Sequence, residues 1–277
     1  MRIWHQSYTD LTRLPGYAGM LAEHAKALSS PDTVVDLHGL RPGTYPEGMP
    51  PVAMVGYSYA THLADLQVIE NIITAEREGY DAVAISCFLD PGLEEARSMV
   101  DIPVVSSCET SLLISSMLGH SFGFLTLDET MAGFLRKLVV RHGFGDRVKM
   151  VAAMDPPIDE HELDSAFAGS PAFVARFSAQ AERMVAQGAD VVIPAEGVLN
   201  VALVRNGVRA VAGAPVLDSY GSLIALAETM VRLRRISGLG VSRAGEYAKP
   251  PAAVMPALRG IVADIMGDGA GAARDRS

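Results

Sequence analysis

Two stretches of this chain repeat one local pattern and end it on different reactive residues, and that repeat restricts the possible folds more than any other feature. The first runs from Gly79 through Asp81 and the apolar residues 82–85 to Ser86 and Cys87. The second runs from Gly188 through Asp190 and the apolar residues 191–193 to Ala195 and Glu196. Each reads as a helix closed by glycine, an aspartate, and a short buried strand ending in a thiol or a carboxylate. The match continues downstream, where Ile102-Pro103-Val104-Val105 answers Ala214-Pro215-Val216-Leu217 and Ser111-Leu112-Leu113-Ile114 answers Ser222-Leu223-Ile224-Ala225. Two related α/β halves are expected, each delivering one proton-transfer group from the C-terminal end of a strand.

Strands and helices alternate through both halves, which implies parallel sheets covered on both faces. The expected fold is α/β: two pseudo-two-fold-related lobes, each a parallel sheet flanked by helices, with the active site in the cleft between them. Lobe one takes residues 1–120, with room for C-terminal elements of lobe two to cross back; lobe two takes 121–237. Residues 39–55 are rich in proline and glycine and read as an irregular loop near the site. Asp90, Pro91, Glu94 and Glu95 read as an N-cap and first turn directly after Cys87, whose helix amides would favour thiolate. The segment after a strand at 148–154 reads as a polar connection, followed by a helix from Ser170-Pro171 to Gly188. Residues 238–277 form an extension; a short amphipathic helix within 251–266 is expected to pack on its parent lobe, with an arm onto a neighbouring subunit as the alternative, and 267–277 to be disordered.

A net charge of −9, without a basic cluster interleaved with aromatics, argues against nucleic acid as a partner. No apolar run approaches the roughly 18–20 residues that span a bilayer, and the first residues enter a strand without a signal-peptide pattern. A cytoplasmic protein with no membrane partner is expected. Only Cys87 and Cys108 are present, consistent with free thiols in a reducing compartment. No histidine pair has metal-ligand spacing and no phosphate-binding loop occurs, so neither metal nor cofactor is expected.

Cys87 and Glu196 are the candidate catalytic pair. A carboxylate ending an apolar strand is costly unless it is used or paired, for instance with Arg205, and partial burial would raise its pKa toward that of a general acid or base. Ser7 and Thr9 after the first strand, and Thr126 at the equivalent place in lobe two, could bind a substrate carboxylate with hydroxyls. Glu109 is a candidate supporting group and Asp218 either a site residue or a helix cap, while Cys108 reads as packing.

The strings 81–93, Ile102-Pro103-Val104-Val105 and 188–193, with Pro215-Val216-Leu217-Asp218, resemble the aspartate/glutamate/hydantoin racemase superfamily, most closely its hydantoin racemase branch. The resemblance covers most of residues 1–236. It implies two pseudo-symmetric lobes, no cofactor, and a cysteine on each face of a carbon acid, of which Cys87 matches the first. Glu196 holds the place of the second, and the usual Gly-Cys step reads Ala195-Glu196.

The expected function is a cofactor-independent isomerase of racemase or epimerase type, with Cys87 and Glu196 as opposed acid and base. Its substrate would be a small carboxylate, amino acid or cyclic ureide, and the protein an assembly of identical subunits. A lyase, decarboxylase or thiol-dependent hydrolase on the same scaffold, or a non-catalytic small-ligand binding protein, are the alternatives.

Overall fold

A computed structural model of the chain describes residues 1–266; the expected disordered tail lies outside the described residues. The first sheet is parallel, with strand order β2-β1-β3-β4, where β1 is Arg2–Ser7, β2 Val34–His38, β3 Ala82–Ser86 and β4 Val104–Ser106. The second, also parallel, has order β6-β5-β7, where β5 is Phe122–Thr126, β6 Val148–Ala153 and β7 Val191–Pro194. An isolated parallel bridge from Val192 to Val216 adds a fourth position beside β7. The two sheets thus correspond place for place. Every residue of β3, β5 and β7 is buried, the consequence of apolar runs covered on both faces.

The helices are α1 (Pro15–Leu28), α2 (Pro51–Val55), α3 (Ser58–Arg77), α4 (Leu93–Met99), α5 (Ser107–Leu118), α6 (Glu129–Arg141), α7 (Glu160–Ala166), α8 (Pro171–Ala186), α9 (Gly197–Arg205), α10 (Ser219–Ser237) and α11 (Met255–Met266). Helix α10 packs against α1, α5, β3 and β4, so the chain returns to the first lobe after completing the second sheet.

The repeated Gly-x-Asp step has a structural cause. Gly79 and Gly188 close their helices at φ +77° and +94°, which a side chain would disfavour. Asp81 then accepts the Arg2 amide at 2.8 Å, and Asp190 the His120 and Ser121 amides at 2.9 and 3.0 Å. Each aspartate therefore anchors the start of the neighbouring strand in its own sheet.

Three local expectations are corrected. Residues 39–55 are not wholly irregular, because Pro51 at the first helical position starts α2, with Val52 and Val55 buried. The polar connection after β6 contains α7, capped by Asp159. The apolar stripe of α11 does not pack on the parent lobe: Val254, Leu258, Ile261 and Ile265 are all exposed. What holds the extension lies upstream, where Arg243 donates to the Arg97 and Val100 carbonyls and both Arg243 and Lys249 pair with Asp101.

Candidate active site

A cavity of about 550 Å³, its mouth included, lies where the carboxyl ends of both sheets meet. Ser7 ends β1 and Thr9 follows it, Cys87 follows β3 and Glu196 follows β7, and all four line it. The other walls come from Tyr17 of α1, Val52 and Val55 of α2, Met131 of α6 and Glu160 of α7. Among the described residues lining the cavity there is no lysine, arginine or histidine.

Glu196 is the N-cap of α9. Its Oε2 accepts the Leu199 amide at 2.7 Å, and the amides of Val198 and Gly197 also bear on it. Burial pushes the carboxyl above its ordinary pKa, and the three amides pull the other way by favouring the anion. Its partners are therefore backbone donors; Arg205, proposed as an alternative partner, lies at the far end of α9. Gly197 is needed for a steric reason, since a Cβ there would sit 2.5 Å from the Tyr17 hydroxyl.

Cys87 has a poorer supply of donors. Helix α4 begins only at Leu93, after an N-cap at Gly92 in the left-handed region, and one amide, that of Leu89, reaches the sulfur at 3.5 Å. Burial pushes the thiol well above its usual pKa, the Leu89 amide opposes this, and the nearby Asp90, Asp65 and Glu196 add to it. The expected thiolate-favouring environment is thus overturned: burial and the nearby carboxyls favour the thiol.

Asp90 does not cap the helix after Cys87. At φ +48° it turns back and accepts the Cys108 and Glu109 amides at 2.9 and 3.1 Å, capping α5 instead. It also accepts from His142 at 2.8 Å, tying the end of α6 to lobe one. With Cys108, these residues place three ligand-type atoms within 4.8 Å of one another, a grouping that spacing along the chain does not reveal. Both Asp90 oxygens already hold donors, which makes this a cap and a tie between lobes.

The remaining candidates sit elsewhere. Thr126 is fully buried and its hydroxyl donates to the Ala195 carbonyl at 3.0 Å, so it supports the strand end carrying Glu196. Glu109 pairs with Arg97 at 2.9 Å, against a different depression. Asp218 caps α10 through the Gly221 amide at 2.9 Å and pairs with His24 at 2.7 Å. All three are satisfied by partners within the fold, of which the capping role of Asp218 is legible in its own sequence neighbourhood.

Glu160 went unrecognised in the sequence. It is 5% exposed, its Oε1 accepts the Val52 amide at 2.9 Å, and its Oε2 has no partner. Burial, reinforced by Glu196, pushes its carboxyl up to about 8. The run Asp159-Glu160-His161-Glu162 carries a helix-start signal, an N-cap followed by first-turn acids, but nothing in it shows that Glu160 meets Glu196.

Residues 19–227 match the family described as Asp/Glu/Hydantoin racemase. The chain is 30% identical over 186 residues to a hydantoin racemase of Pseudomonas sp. (strain NS671), covering 67% of this chain and 72% of that protein. It is 28% identical over 201 residues to a hydantoin racemase of Paenarthrobacter aurescens, covering 72% and 80% respectively. Among solved structures, an allantoin racemase from Klebsiella pneumoniae has a TM-score of 0.72 at 23% identity, over 91% of this chain and 94% of that one, a likeness of fold. Since the matched stretch carries Cys87, Glu160 and Glu196 together with most of both sheets, the chain belongs to the Asp/Glu/hydantoin racemase family.

Proposed function

We propose that this protein is a racemase-type isomerase that inverts a carbon acid of the neutral cyclic ureide class, with Glu196 as base and Cys87 as acid. The observation that carries this reading is one cavity receiving a carboxyl and a thiol from corresponding strand ends of two sheets, with no cationic side chain among the described residues of its lining. A substrate carboxylate would meet acidic groups and no balancing positive charge, which disfavours amino acids and other anions. A neutral ureide offers N–H donors instead.

The chemistry follows from the resting protonation. The Glu196 carboxylate takes the proton from the carbon beside the carbonyl, and the C–H electron pair moves into the enolate. The Cys87 S–H then protonates the opposite face. This leaves a carboxylic acid and a thiolate, which exchange with solvent to restore the starting state. The reverse direction requires Cys87 as thiolate, so the two directions differ in the state the enzyme must first reach.

The test is solvent exchange. In heavy water, a 5-substituted hydantoin should invert and carry deuterium at the reacting carbon by proton NMR, without carbon dioxide, ammonia or ring-opened product. Fragment release, or ring opening without exchange, would replace the isomerase reading by a lyase or hydrolase.

A further inference from the structure

An enolate needs its oxygen stabilised, and among the described residues lining this cavity there is no lysine, arginine or histidine to do so. The amides at the start of α9 do not fill the gap, because they are directed to the Glu196 carboxylate. Besides the hydroxyls of Ser7 and Thr9, Glu160 brings a carboxyl to the lining. Glu160 Oε2 is buried and unpartnered, while its companion Oε1 is fixed by the Val52 amide at 2.9 Å.

Two buried carboxyls beside one cavity cannot both be ionised cheaply, so they share the available charge unequally. The donor count decides which one holds it. Glu196 has three amides at a helix N-terminus; Glu160 has two, its own and that of Val52. Amides stabilise the anion, so the negative charge belongs on Glu196 and the proton on Glu160. A protonated carboxyl with a free oxygen is a hydrogen-bond donor lacking an acceptor, on a residue that lines the cavity, and a carboxylic acid is a stronger donor than the Ser7 and Thr9 hydroxyls.

We infer that Glu160 is a further catalytic residue, a neutral carboxylic acid whose Oε2–H donates to the substrate carbonyl and stabilises the enolate while Glu196 removes the α-proton. The proton stays on Glu160 throughout; the hydrogen bond strengthens as the carbonyl oxygen gains charge and relaxes when Cys87 returns a proton to carbon. The inference rests on the racemase reading for its substrate. The other ionisable groups acting on Glu160 are Glu196 from the start of α9, Tyr45 from the segment before α2, and its own neighbour Asp159.

The experiment compares Glu160→Gln with Glu160→Leu in the intact protein, reading kcat and kcat/KM against pH for a 5-substituted hydantoin. Glutamine keeps an acceptor for Val52 and supplies an N–H donor that does not titrate. It should stay within about tenfold of wild type and shift the alkaline loss of activity to higher pH. Leucine should lower kcat by about 10²–10³, the usual consequence of deleting one oxyanion donor. Equal loss in both variants with an unmoved pH profile would overturn the inference and leave Glu160 a positioning residue for α2. A second readout does not depend on activity. Infrared difference spectra at neutral pH should show a protonated-carboxyl C=O band that Glu160→Gln removes, and absence of that band would overturn the inference whichever reaction is catalysed. If wild type fails to exchange the α-hydrogen while the band is present, the racemase reading and the enolate role fall, and the neutral carboxyl stands.

Discussion

The strand ends that carry Cys87 and Glu196 occupy the same place in their two sheets yet surround their reactive groups differently. Both strands neighbour the first strand of their lobe, and both follow an aspartate that anchors that strand. In lobe two the helix starts at the next residue, so three amides converge on the carboxyl. In lobe one a turn through Asp90 intervenes, the helix starts six residues after the thiol, at Leu93, and one amide reaches the sulfur. Equivalent topology therefore supplies position, and the length of the connection supplies charge state. A helix N-terminus directly behind a group favours its anion, and a turn in between leaves burial to dominate.

The largest effects should come from exchanging the reactive atoms themselves. Cys87→Ser preserves volume but leaves an acid too weak for the task, and Glu196→Gln removes the base while retaining a polar cap. Each should lower kcat by about two to four decades, with wild-type melting temperature. The pH dependence should separate them. Because burial raises the Glu196 pKa and activity needs its ionised form, activity should fall on the acid side at a pH above the ordinary carboxylate range. Cys108→Ser should keep most activity, since Cys108 is fully buried and does not line the cavity. Near-wild-type rates in Glu196→Gln would break the comparison at its root.

A smaller effect is expected from perturbing the helix start without touching a reactive atom. Gly197→Ala places a methyl 2.5 Å from the Tyr17 hydroxyl, so Tyr17 or the α9 N-terminus must move. The overpacking should cost about 1–3 kcal/mol in denaturant unfolding. It should also shift the acid limb of the rate profile, because the amides that hold Glu196 would lose alignment. An unchanged profile would show that the cap does not set the charge state of Glu196.

The smallest effect should be at Asp218, the lobe-two aspartate that sequence position alone could not separate from the site. As the N-cap of α10 and partner of His24, it contributes to stability. Asp218→Ala should cost about 1 kcal/mol of unfolding free energy while leaving kcat within a few-fold. A large loss of activity at constant stability would return Asp218 to the active site.

Alternation of apolar strands and glycine-closed helices was enough to predict the lobes, because local periodicity follows directly from residue order. So was the arrival of Cys87 and Glu196 at corresponding strand ends, since a repeat in sequence carries a repeat in topology. Other features were beyond local reading. Helix α11 has the stripe of a packed helix but exposes it, because a stripe shows that a face is apolar and not what covers it. Asp90 carries every local sign of capping the helix it precedes, yet it caps α5 and binds His142, partners that only folding brings near. Glu160 meets Glu196 across separate connections of lobe two and takes its amide from α2 of lobe one. Residue order thus determined the sheets, the repeat and the placing of Cys87 and Glu196 at corresponding strand ends. Which way each group's pKa moves was decided by tertiary structure, since it depends on burial and on the donors that other segments bring to the site.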